Sequence, residues 1–129
     1  MTRKDADIDV RRVYDADVRD GSGLRGTTFL VDGMWPRGVK KDELPIDGWL
    51  RDLAPSSELR KWFGHRADRW DGFCTSYRQE LDDKPEALAP LLDAARNGPV
   101  TLLFATKETE HNNAVALREY VRDTLKSDS

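Results

Sequence analysis

Two histidines occur in this 129-residue chain, and one of them, His111, lies in the run Glu110-His111-Asn112-Asn113. Histidine titrates near neutral pH without help, so His111 is the candidate general acid or base. Glu110, Asn112 and Asn113 beside it supply the acceptors and donors that orient a bound ligand. The run follows an apolar stretch, residues 100–105, across a short polar turn, and opens a helical pattern. Unpaired N–H groups and a partial positive charge at that helix start would hold an anion and bias the imidazole toward its neutral form. The plainer alternatives are a capping histidine bonded to a neighbouring loop, and asparagines that satisfy orphan N–H groups; Thr109 is the expected N-cap. Arg118, two turns after His111, is expected on the same helix face.

Arg37 in Trp35-Pro36-Arg37-Gly38 is the second candidate, because a fixed backbone at a strand exit can aim a planar guanidinium at a carboxylate or phosphate. Its alternative is a structural ion pair with an acidic residue such as Asp32 that holds the loop. Trp35 can stack on a planar ligand or anchor the loop on the core. His65, the other histidine, follows Gly64 just past an expected helix end and is a weaker acid/base candidate, with a bond to a loop carbonyl as its structural alternative. His65, His111 and Glu110 have ligand types for a two-His, one-carboxylate metal site, but no HxH or HxxxH spacing supports one, so no metal is assigned. Cys74 falls within an aromatic stripe and reads as an inert small hydrophobe.

These groups need strands and helices to position them. Residues 10–14 (VRRVY) read as a strand, and Asp20-Gly21-Ser22-Gly23 marks a turn in the loop that follows. Phe29-Leu30-Val31 reads as a strand covered on both faces, ending at Asp32-Gly33. Residues 42–53 carry a helical stripe of Ile46, Leu50 and Leu53, yet Pro45 and Gly48 suit an irregular or edge segment equally. Pro55-Ser56-Ser57 starts a helix that Gly64 stops, with Leu59, Trp62 and Phe63 on one face. From about Ala67 a longer helix places Trp70, Phe73, Cys74, Tyr77 and Leu81 on a core stripe. If buried, Trp62 and Trp70 would each cost about 3–5 kcal/mol on truncation to alanine. Lys84-Pro85 breaks that pattern, and a further helix with Leu88, Leu91, Leu92 and Ala95 closes at Asn97-Gly98, either kinked at Pro90 or starting there. Residues 100–105 are the third strand, and residues 110–125 the last helix, with Ala114, Leu117, Val121 and Leu125 facing the sheet.

That order predicts an α/β fold: one domain with a small, mainly parallel sheet flanked by helices. In such sheets ligands bind beyond the carboxyl ends of the strands, so residues 32–38 and 106–113 would share one rim. The domain is expected over residues 10–125, with flexible segments at 1–9 and 126–129. With 21 basic against 24 acidic residues interleaved, no global field favours nucleic acid or an acidic membrane surface. A single cysteine and no apolar leader or spanning run predict a reduced, cytoplasmic protein. The glycines at 21, 23 and 26 lack GxGxxG spacing, and no GK[ST] loop, GxSxG elbow or CxxxxxR loop is present, so no cofactor is assigned.

Three consecutive stretches, VDGMWPRGVKKDEL, LAPSSELRKWFGH and PVTLLFATKETEHNNAVALREY, resemble the signatures of the YeaO-like family, domain of unknown function 488. The resemblance runs from about residue 12 to residue 120 and implies a single α/β domain without implying a reaction. By matching position it picks out Trp35, Pro36, Arg37 and Gly38, then Trp62, Phe63, Gly64 and His65, then Glu110 to Asn113 and Arg118. The chain departs from the family pattern at Gly33-Met34, where Arg-Leu is common, and at Arg66-Ala67, where Asp-Pro is common. If the missing arginine serves a site in relatives, anion binding here falls more heavily on Arg37 or Arg66.

The sequence therefore predicts a pocket at the carboxyl rim for an anionic, nucleotide-like small molecule. Arg37 would clamp the anion, His111 would act as acid, base or donor, and Asn112 and Asn113 would orient. His65 would close the pocket from the helical side. The alternative is a non-catalytic binding or regulatory module whose basic stretches, residues 37–41 and 60–69, contact nucleic acid or another protein.

Overall fold

A computed structural model describes residues 6–127. Four short strands form one sheet in the order β1-β4-β2-β3: β1 (Ile8–Arg12), β2 (Thr27–Leu30), β3 (Gly48–Trp49) and β4 (Val100–Phe104). Every neighbouring pair is parallel, with Val100 opposite both Ile8 and Thr27, and Gly48 opposite Phe29. All five β4 residues are buried, since this strand is central and covered on both faces. Side-chain alternation then divides the core. Phe29, Val31, Leu102 and Phe104 pack with the large helical layer, whereas Leu30 and Leu103 pack with Val13, Val18, Val39 and Leu44 on the opposite face.

The helical layer comprises α2 (Ser57–Phe63), α3 (Trp70–Asp82), α4 (Pro85–Asn97) and α5 (Asn113–Ser127), while the short α1 (Ala16–Arg19) follows β1. Local chemistry sets several boundaries as expected. The Ser56 hydroxyl caps α2 by accepting from the Leu59 N–H at 3.2 Å, and Gly64 ends it in a left-handed conformation at φ 53°. Phe73, Tyr77 and Leu81 of α3 are buried, and the Tyr77 hydroxyl donates to the Leu53 carbonyl.

Elsewhere the structure differs from the sequence-based expectation. β1 includes Ile8 and Asp9, and Val13 and Tyr14 lie in the following turn. At the other end, Lys126 and Ser127 continue α5. Of the flexible segments expected at residues 1–9 and 126–129, residues 1–5 and 128–129 lie outside the described residues. Residues 42–53 do not form a helix. They contain a 3₁₀ turn (Lys41–Glu43), the edge strand β3 and a second 3₁₀ turn (Arg51–Leu53). Pairing across the sheet decides this segment, because Asp47 bonds both the Thr28 N–H and the Thr28 carbonyl at 2.8 Å. α4 runs unbroken from Pro85 with Pro90 inside it; that proline is exposed and forfeits one helix bond without burying an orphan carbonyl. Trp62 is 44% exposed rather than core. Leu59 and Phe63 take the buried face of α2, leaving the Trp62 ring against Gly72, with the Arg69 guanidinium 5.1 Å from its centroid.

Candidate functional site

Because all four strands run the same way, their carboxyl ends meet at one rim. A cavity of about 480 Å³ opens there, within the range of small-molecule sites. Tyr14 comes to it from the end of β1, residues 32–37 from the end of β2, and Ala105 and Thr106 from the end of β4. Arg60, Phe63 and His65 reach it from α2 and its exit, Phe73 from α3, and residues 111–113 from the start of α5. The two polar exits identified in the sequence thus line one cavity, and both histidines border it.

Asp32 is central to this arrangement. One carboxylate oxygen accepts from the Ala105 N–H at 2.9 Å and the other from Asn113 Nδ2 at 3.1 Å. Burial pushes its carboxyl above the usual range, although these two bonds and the Arg60 charge act in the opposite direction. Among the described residues Asp32 forms no ion pair, and the pair with Arg37 considered from sequence is not formed. Arg37 is exposed and borders the cavity, its backbone carbonyl held at 2.8 Å by the Tyr14 hydroxyl. Trp35 is anchored: its indole N–H donates to the Val39 carbonyl at 2.6 Å, and its ring meets Trp49 edge-on at 5.4 Å. Trp49 in turn donates to the Asp32 carbonyl at 2.7 Å, fixing the exit of β2.

The start of α5 differs from expectation. Asn112, not Thr109, is the N-cap: its Oδ1 accepts from the Val115 N–H at 3.0 Å while its Nδ2 donates to the Glu108 carbonyl at 2.8 Å. Asn112 is only 4% exposed, so both ends of its amide serve the fold. The backbone N–H groups of Glu110 and His111 donate to the Glu108 carboxylate at 2.6 and 3.0 Å, and these bonds hold the Glu108 carboxyl below its usual range. The N–H groups of residues 110 and 111, expected from sequence to hold an anion, are therefore matched internally by Glu108. Glu110 itself is exposed and lies outside the cavity lining. Glu108 Oε1 approaches His111 Nδ1 at 3.5 Å, and the imidazole lies 5.0 Å from the Trp70 ring.

Asn113 is the first helical residue, and its Nδ2 bonds the Val31 carbonyl as well as Asp32. Arg118 does not line the cavity, since His111 precedes the helix and helical phase does not relate the two. Arg66 pairs with Asp68 at 3.1 Å and is also outside the lining. His65 is exposed, adopts the left-handed conformation at φ 59°, and places its ring 6.2 Å from Phe63. Among the described residues no group of three or more His, Cys, Asp or Glu side chains is placed to hold a metal ion.

Tyr14 and Arg60 line the cavity although the sequence reading gave neither a place in it; Asp32 was read only as part of the β2 exit and an alternative partner of Arg37, and Phe63 only as a core and family-motif residue. A carboxylate directly after the apolar run Phe29-Leu30-Val31 was the available signal for Asp32; Arg60 had none, because its place depends on how α2 packs. A second, more open cavity of about 720 Å³ adjoins the first through Gly33, Ala54, Pro55 and Arg60. No helix among the described residues is long and apolar enough to cross a membrane.

No solved structure matches this chain. It is 38% identical over 116 residues to "Uncharacterized protein YeaO" of Escherichia coli (strain K12), covering 89% of this chain and 96% of that protein. It is also 38% identical over 113 residues to "Uncharacterized protein Rv3073c" of Mycobacterium tuberculosis (strain ATCC 25618 / H37Rv), covering 87% and 91%. The family model DUF488-N3i, described as the inactive DUF488-N3 subclade, matches residues 7–129, and the chain belongs to this YeaO-like DUF488 family.

Proposed function

We propose that the domain binds a small anionic ligand in the rim cavity and does not transform it. The observation that carries this reading is Arg37: an exposed guanidinium on the border of a cavity with aromatic walls, without an ion-pair partner among the described residues. Such a group offers five donors to a carboxylate or phosphate. Arg60 borders the same cavity and adds a second positive charge. His111 donates or accepts a hydrogen bond, Asn113 holds the wall, and His65 closes the helical side. The description of the matched family as an inactive subclade supports binding over turnover. Against a nucleic-acid surface, two cations of the basic stretch 60–69 are engaged within the chain: Arg66 with Asp68, and Arg69 with the Trp62 carbonyl and ring.

A thermal-shift screen of phosphates, nucleotides, carboxylates and short oligonucleotides tests the proposal, repeated on Arg37→Ala. A native-state ligand at 100 times its Kd adds about 2.7 kcal/mol, a clear rise in Tm for a domain of this size. The expected result is a rise with a small anion that Arg37→Ala removes, with the unliganded Tm of the variant unchanged. Stabilisation by oligonucleotides alone, or an anion effect indifferent to Arg37→Ala, would overturn it.

A further inference from the structure

The cavity pairs two opposite charges. Arg37 and Arg60 are exposed, while the Asp32 carboxylate is half-buried in the same lining and has no counter-ion within ion-pair distance among the described residues. A carboxylate accepts about four hydrogen bonds, and the protein supplies one to each Asp32 oxygen, from Asn113 and Ala105. One acceptor position on each oxygen is left over. Taking an unpaired carboxylate out of water is costly, so a ligand that brought donors to Asp32 would recover part of that cost. Phe63, Phe73, His65 and His111 line the same cavity. They offer faces and edges against which a flat ring can stack.

We propose, resting on the anion-binding reading above, that the ligand is a nucleotide whose base presents two adjacent N–H donors, of guanine type, to Asp32, while Arg37 and Arg60 hold its phosphate. The two remaining acceptor positions match a ring N–H and an exocyclic amino group side by side. An adenine edge offers one donor next to a ring nitrogen acceptor, which a carboxylate repels. The upward displacement of the Asp32 carboxyl by burial agrees with a site that lacks its partner.

Isothermal titration calorimetry of the full chain with guanosine 5′-monophosphate, adenosine 5′-monophosphate and ribose 5-phosphate separates the two levels of this claim. The expected result is guanosine monophosphate binding about tenfold or more tighter than adenosine monophosphate, with ribose 5-phosphate weaker but measurable. Asp32→Asn, which puts a donor in place of one acceptor, should lose the preference for guanosine monophosphate over adenosine monophosphate. Equal affinity of the wild-type protein for both nucleotides, with ribose 5-phosphate still bound, overturns the role of Asp32 and leaves the anion site standing. Binding of none of the three overturns both. The wild-type series decides the question even if the Asp32→Asn chain does not fold.

Discussion

Asn113 Nδ2 lies 3.1 Å from the Asp32 carboxylate and 3.1 Å from the Val31 carbonyl, tying the first residue of α5 to the end of β2. The other Asp32 oxygen takes the Ala105 N–H, so one carboxylate links the exits of two adjacent strands to the helix that follows. Asn113→Ala strips the donor from two partly buried acceptors and should cost about 1–3 kcal/mol. Urea unfolding would report this as a lower midpoint at unchanged slope; a midpoint indistinguishable from wild type would show that water replaces the amide at no cost.

The two tryptophans of the helical layer should separate clearly. Trp70 stacks on Phe73 at 5.5 Å and also contacts Phe63 and His111, whereas Trp62 is 44% exposed over Gly72. Trp70→Ala should cost about 2–4 kcal/mol and Trp62→Ala only about 1 kcal/mol. Equal losses in a denaturation series would contradict the packing of α2 described above.

Gly26 has no tolerance for a side chain. It sits at φ 63°, and a Cβ there would stand 1.9 Å from the Pro99 carbonyl oxygen, the atom that accepts from the Thr27 N–H at the start of β2. Gly26→Ala combines left-handed strain with a backbone clash and should destabilise by about 3 kcal/mol or more. A Tm within a degree or two of wild type would mean that the approach of β2 and β4 is looser than described.

Acid should act on the start of α5 through Glu108. Its carboxyl is held below the usual range by the N–H groups of His111 and Glu110, so its contribution is fully present above the ordinary carboxylate range and disappears as the pH falls through and below it. Asp32 runs the other way: its carboxyl is raised, so ionising it costs stability as the pH rises through that range toward its raised value. Comparing wild type with Glu108→Gln cancels the Asp32 contribution. The Tm advantage of wild type should be constant near neutrality and shrink toward zero in acid; an advantage that persisted in acid would show that the Glu108 charge is not what holds the turn.

Features decided within one or two turns of chain were legible in the sequence: the Ser56 cap and Gly64 stop of α2, the Phe73, Tyr77 and Leu81 stripe of α3, and the buried run of β4. Hydrogen bonds to near neighbours and helical periodicity are properties of short segments, and short segments carry them wherever they pack. The parallel α/β fold followed from element order, and with it the meeting of residues 32–37 and 111–113 at one rim. Tertiary structure alone decided the rest. β3 is two residues long and exists because β2 offers it an edge. Trp62 turns outward because Leu59 and Phe63 occupy the buried face, and Arg60 joins the cavity through the same docking of α2. Asn112 and Glu108 spend their polar groups on the chain itself, and Asp32, without an ion pair among the described residues, is bonded by an amide 81 residues away, because which donors reach which acceptors depends on contacts distant in sequence.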